Sequence, residues 1–242
     1  MSDHTVRAYD AEVDQLRLLV LRMGGLVCDQ VTQARNALRE RNDELAQLVI
    51  RREADVNRMD TDGEEMAFQI IARRQPLASD LRTVLSLMKS LTDLERCGDE
   101  AKKIAKTARK LIVDEVDRVP EFGRAVDRMS ELAVRILKGV LEALDGFDAE
   151  KAIRMANEDR HINWEYKQAL RLIHEYLGKD PSRIEHAAEV VLVLKALERV
   201  GDHAKNIAKY VVFLVQGRDV RHVKAKALAS ELERAKPAGP ES

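Results

Sequence analysis

Very little in these 242 residues would turn the chain. Eleven glycines and five prolines are about half the usual share, and aromatic residues make up only 4%. A sheet protein of this size needs many turn residues and a rich supply of β-branched and aromatic side chains, so sheet architectures are excluded. Two cysteines, Cys28 and Cys97, provide no disulfide framework. Neither sign of charge is in excess. Against 42 Asp+Glu stand 41 Lys+Arg, a formal charge of −1, so the basic surplus that draws a protein to DNA or RNA is missing and no nucleic-acid partner is expected. The longest apolar run, Tyr210 to Val215, is six residues, where a membrane span needs roughly 18. The N-terminus carries Asp3, Arg7, Asp10, Glu12 and Asp14 and lacks the apolar centre of a signal peptide, so a cytoplasmic location is expected. The phosphate-cradling glycine loops, His-Glu-x-x-His and Cys-x-x-Cys are all absent, which leaves nucleotide hydrolysis by this chain alone without a site.

What is there is helical periodicity. Apolar residues recur at spacings of three and four: Leu16, Leu19, Met23, Val27, Val31, Ala34 and Leu38, then Leu45, Val49, Val56, Met59, Met66 and Ile70, then Val84, Met88, Leu91, Leu94, Ala101 and Ala105. The pattern predicts helices of about 25 to 35 residues broken at Asn42/Asp43, at Gln75-Pro76 and across Asp114 to Pro120. A fourth helix runs to Gly146 and a fifth from Asp148 to about Gly178. A sixth is expected to be capped by Asp180-Pro181 and to end near Gly217. The tail after Lys236 has no apolar pattern and is expected to be mobile. Gly24-Gly25, inside the first helix, points to a kink or a tight crossing.

The second half repeats the first. Shifted by 103 residues, Leu91 to Lys106 matches Leu194 to Lys209 at 11 of 16 positions, where unrelated stretches would match at about one. A shift of 106 aligns Asn42 to Ala46 with Asp148 to Ala152, and Glu53 to Asn57 with Asp159 to Asn163. The expected fold is all-α: two tandem three-helix bundles, residues 1–116 and 117–218, packed about a pseudo-twofold axis and followed by a tail at 219–242.

The repeated block holds Glu95-Arg96-Cys97-Gly98-Asp99 in one copy and Glu198-Arg199-Val200-Gly201-Asp202 in the other. At 100° per residue both acids of each copy fall on the margin of the apolar stripe. Like charges four apart repel, and burial raises the cost, so something must compensate. A cation held by carboxylate oxygens would do so, completed by Glu53 in the first half and Asp159 in the second. Oxygen donors suit Mg, Ca, Mn or Fe better than structural Zn. The alternative is neutralisation by Lys102 and Lys103, three and four residues after Asp99, and by Lys205, three after Asp202. Gly98 and Gly201 allow a close helix approach or leave room for an ion.

Three further features carry less. Glu158-x-x-His161 has the spacing used by di-iron bundles, which need it twice, and its repeat partner is Arg52 to Asp55. Cys97 faces Val200 in the alignment, which suggests a small packing residue over a redox thiol. Trp164 and Phe147 are expected to be core or interface aromatics.

The paired Glu-Arg-x-Gly-Asp blocks, Arg74-Gln-Pro-x-Ala-x-Asp-Leu-Arg82, Met23-Gly-Gly-Leu26 and Gly217-Arg-Asp-Val-Arg-His222 together resemble the PhoU family of phosphate-transport regulators over residues 9–228. The resemblance implies two three-helix bundles, a homodimer, and multinuclear metal clusters on Glu95, Asp99, Glu198 and Asp202. Glu53 and Asp159 match the family's acid-x-x-Val/Ile-Asn pattern. The metal would be Fe, Mn, Mg or Zn. The implied role is regulatory: an adaptor between the ATP-binding subunit of a phosphate ABC transporter and a sensor histidine kinase, restraining the phosphate-starvation response and phosphate uptake. No catalytic residue is expected. A helical-bundle di-metal enzyme and a metal-free scaffold are the competing readings.

Overall fold

A computed structural model describes residues 2–114, 119–218 and 220, with side chains from Tyr9 onward. The expected division at 116/117 and, apart from Val220, the expected tail fall outside the described residues. Among those described there are six long helices: α1 Ser2–Glu40, α2 Asp43–Arg74, α3 Ser79–Val113, α4 Pro120–Asp145, α5 Ala149–Lys179 and α6 Ile184–Gln216.

Local chemistry sets the breaks. Asn42 caps α2 by accepting from the Leu45 amide, and Asp148 caps α5 by accepting from the Lys151 amide. Gln75 ends α2 in the left-handed region and Gly217 ends α6 there. Two expectations need correction. First, α1 spans 39 residues. Its first turns carry few apolar side chains and so show no stripe, although the backbone is already helical. Second, Asp180 does not cap the sixth helix directly. It caps a single 3-10 turn, Pro181–Arg183, through the Ser182 amide, and α6 starts only at Ile184.

α1, α2 and α3 pack on one another, as do α4, α5 and α6, and the two triads join along α3/α6 and α1/α4. Both joins are antiparallel. Along α3/α6, Lys110 meets Glu189, Glu100 meets Arg199 and Asp93 meets Asn206, so one number falls as the other rises. Along α1/α4, Arg35 pairs with Glu131 and Arg17 with Asp145. The thiol of Cys97 lies 3.9 Å from the Val200 carbonyl, and these two positions are repeat mates, so the pseudo-twofold axis passes between them. Arg41 and Phe147, mates at the 106 shift, both adopt a left-handed backbone, with φ 55° and 51°.

One apolar core runs through both halves, including Met23, Leu91, Leu94 and Ile104 on one side and Met129, Ile136, Ile162 and Leu194 on the other. Gly24 explains the closeness of α1 and α4: a Cβ there would stand 2.5 Å from the Leu141 methyls. Gly25 opens on free space, so the pair marks a tight crossing at its first residue only.

Candidate metal centres and the seam between the halves

In each half the middle helix brings an acid beside the repeated block. Val56 on α2 and Ile162 on α5 are buried mates, and each sits under the glycine of that block. A Cβ at Gly98 would be 3.1 Å from Val56, and one at Gly201 would be 2.6 Å from Ile162. The glycines therefore serve close helix approach. The acid three residues before each of those core anchors then faces the block. Glu53 accepts from Lys102 at 2.9 Å and from Asn57 at 2.9 Å. Asp159 accepts from Lys205 at 2.8 Å and from Asn163 at 3.1 Å. In both copies the acid on the middle helix is held by the matching lysine and the matching asparagine.

The lysines thus answer the acids differently from the helical pairing considered above. Lys102 and Lys205 reach across to Glu53 and Asp159 on the neighbouring helix, and Lys103 takes Glu100. Glu95 and Asp99 are half-buried, Glu198 and Asp159 are buried, and Asp202 is the exposed member. Charge crowding is evident in their titration. Burial, followed by repulsion from Asp99, Asp60 and Glu53, pushes the Glu95 carboxyl above its ordinary range. Asp202 is pushed up as well: it keeps one face to solvent, yet packed chain on the other sides and then Asp159 and Glu198 disfavour its charge. The Lys102 hydrogen bond holds Glu53 below the usual carboxylate range.

A fourth acid belongs to the first constellation. Asp60, seven residues after Glu53 and hence on the same face of α2, has a buried Oδ1 with no hydrogen-bond partner, and burial pushes its carboxyl up. The i,i+7 spacing from Glu53 was the signal that would have found it. Its mate is Tyr166, with Lys195 stacked 5.7 Å over the ring and bonded to Glu198, so the second half is less acidic than the first.

Among the described residues no three acid, imidazole or thiol side chains converge closely enough to hold a metal ion as they stand. The donor chemistry nonetheless fits one. The side chains are oxygen donors, the Asp159 Oδ1 is buried without a partner, and the ammonium groups of Lys102 and Lys205 already stand among the acids as cations.

Between the halves lies a polar seam that sequence reasoning missed. Asp93, 2% exposed, accepts from Tyr210 Oη at 2.9 Å and from Asn206 Nδ2 at 3.3 Å, and lies 2.7 Å from His203 Nδ1. Glu100, also buried, takes Lys103 at 2.8 Å and Arg199 at 3.1 Å. The repeat mate of Asp93 is Ala196, so no second copy of this arrangement exists.

The PhoU domain model matches residues 20–108 and 126–211, one match per triad. The chain belongs to the PhoU family. It is 40% identical to the phosphate-specific transport system accessory protein PhoU homolog of Pseudomonas aeruginosa, over 96% of both chains. It is 31% identical to the accessory protein PhoU of Escherichia coli K12, over 92% of this chain and 91% of that one. Among solved structures, PhoU from Pseudomonas aeruginosa superposes with a TM-score of 0.83 at 40% identity, covering 87% of this chain and all of the other. The phosphate transport system regulatory protein PhoU from Streptococcus pneumoniae gives 0.80 at 30%, covering 88% and 99%. The two-bundle all-α fold of the family is therefore the fold of this chain.

The remaining motifs of this PhoU-family chain are structural in the main. Arg74, which opens the Arg-Gln-Pro stretch, grips Glu12 of α1 with two nitrogens at 3.0 and 2.7 Å, and Arg82 lies 6.0 Å over the Phe213 ring. His161 is exposed and bonded at 3.2 Å to the half-buried Glu158, with no second copy of the motif. Cys97 is fully buried and its thiol is pushed well up by burial, as a packing residue requires. Trp164 and Phe147 are 58% and 46% exposed, so neither is a core aromatic.

Proposed function

We propose that this chain is a cytoplasmic regulatory adaptor that links the ATP-binding subunit of a phosphate ABC transporter to a sensor histidine kinase and holds down the phosphate-starvation response and phosphate uptake when phosphate is plentiful. The observation that carries the reading is the match along both triads, and over nearly the full length, to proteins named as accessory to phosphate-specific transport. No described helix is long and apolar enough to cross a membrane, which suits a protein that acts by docking onto the cytoplasmic parts of membrane partners. The role is non-catalytic, and the working unit is a homodimer. Deleting the gene and reading a phosphate-starvation promoter in phosphate-rich medium tests it. The promoter is expected to fire; a silent one overturns the reading.

Glu53, Glu95 and Asp99 would hold metal in the first half, and Asp159, Glu198 and Asp202 in the second, with Fe, Mn, Mg or Zn as the ion. Such a cation would neutralise crowded carboxylates, and Lys102 and Lys205 would have to yield their places. The pH dependence follows. Because Glu95 and Asp202 have raised values, the folded state binds their protons more tightly than the unfolded chain does. Their contribution is therefore favourable below the unfolded pKa and is lost as pH rises through the raised folded values. At neutral pH without metal, Asp99→Asn with Asp202→Asn is expected to raise stability by a few tenths of a kcal/mol per relieved pair. Elemental analysis after chelator-free purification should find metal in the unmodified chain and not in the variant. Metal in neither, or equal metal in both, removes these sites.

A further inference from the structure

At one end of the molecule a cavity of about 370 Å³ opens between the C-terminal turns of α1 and α3 and the N-terminal turn of α4. This lies within the ~300–1,000 Å³ typical of small-molecule sites. Its wall is apolar, formed by Leu38, Leu111, Phe122, Val126 and Val190, with the edge of His186 against Phe122 at 5.9 Å between ring centroids. Its rim is basic. Arg35, Arg39, Arg41 and Arg124 line it together with Asp127.

The duplication sets this end against its counterpart. At the 106 shift the mate of Gly123 is Arg17, the mate of Arg39 is Asp145 and the mate of Arg41 is Phe147. At the opposite end of the molecule Arg17 bonds Asp145 and lies 5.9 Å over the Phe147 ring. At that end a cation is held between an acid and an aromatic. The other has a glycine in place of that cation and two arginines in place of its partners. A Cβ at Gly123 would meet no atom within 4 Å.

Each arginine on this rim already has a partner. Arg39 pairs with its neighbour Glu40 at 3.0 Å and Arg124 with Glu121 at 2.9 Å, both on the surface, where such pairs contribute at most about 1 kcal/mol. Arg35 reaches Glu131 at 3.3 Å and Asp127 at 3.6 Å. Arg41 donates to the carbonyls of Leu111 and Ile112, at the C-terminal end of α3. We infer that this cleft is a binding site for a small amphipathic anion, an apolar chain or ring bearing one acidic group, with its body against Phe122 and Leu111 and its acid among Arg39, Arg41 and Arg124.

The test uses the full chain and the fluorescent aromatic sulfonate anilinonaphthalene sulfonate, with decanoate and its uncharged counterpart decanol as competitors. Saturable binding at one probe per chain is expected, displaced about tenfold better by decanoate than by decanol. Gly123→Phe fills the cleft and replaces a poor helix former, so binding should vanish while the melting temperature holds or rises. Arg39→Gln with Arg124→Gln leaves the cavity in place and should weaken the probe and decanoate but not decanol. Absence of saturable binding, binding that survives Gly123→Phe in a folded chain, or equal displacement by decanol and decanoate would each overturn the inference. If Gly123→Phe fails to fold, the double arginine variant decides alone.

Discussion

Asp93→Ala is expected to destabilise the chain by about 3 kcal/mol, a substantial share of the roughly 5–15 kcal/mol margin of an ordinary domain. The carboxylate is almost fully buried on the α3/α6 join and receives Tyr210 and Asn206, with His203 at 2.7 Å. Hydrogen bonds to a charged group are worth about 1.5–3 kcal/mol each, but the three partners retain some access to water, which recovers part of the loss. Removing the acid undoes one knot shared by both triads. His203→Ala should cost less, because Asn206 and Tyr210 still hold Asp93. Urea denaturation of the two variants and the parent checks this. A loss below about 1 kcal/mol for Asp93→Ala would show that water takes the carboxylate's place without penalty.

The second large effect concerns Gly63 and Leu91. Leu91 is fully buried, and a Cβ at Gly63 would lie 2.3 Å from its Cδ1 and 3.1 Å from Leu19 Cδ2. Leu91→Ala removes three carbons from a packed core and should cost about 2–5 kcal/mol. Gly63→Ala adds one methyl where there is no room. Overpacking of about 1–3 kcal/mol then outweighs the ~1 kcal/mol gained from helix propensity. In the double variant the new methyl enters space that Leu91 has left. Its stability should exceed the sum of the single effects by about 0.5–3 kcal/mol. Thermal midpoints shift by about 2–4 °C per kcal/mol at this chain length, so the cycle is readable by calorimetry. Strict additivity would mean that the two residues do not compete for the same volume.

These two sites also mark the limit of what could be read from the amino acids alone. Helix ends were legible because Asn42, Gln75-Pro76, Asp148 and Gly217 act through their own backbone and near neighbours. The doubled architecture was legible because 11 of 16 matching residues outrun coincidence. The carboxylates at Glu53 and Asp159 were legible for the same reason: their places are duplicated. Asp93 was invisible because its partners are more than a hundred residues away and its mate is alanine. The targets of Lys102 and Lys205 were misread because sequence spacing reports neighbours on one helix, whereas the ammonium groups cross to the next. Gly123 carried no signal of its own, because its meaning rests on its mate Arg17 and on contacts that Arg17 makes more than a hundred residues away.

The meeting of Cys97 with Val200 has one more consequence. In a true dimer built from a single triad, any substitution appears twice, and at the axis it meets itself, so only self-compatible residues survive there. Joining the copies in one polypeptide lifts that restriction. A sulfur can then face a branched aliphatic, an acid can face no twin, and a glycine at one end can answer an arginine at the other. Individuality of the halves is the freedom that linkage confers, and it gives this molecule two distinguishable ends.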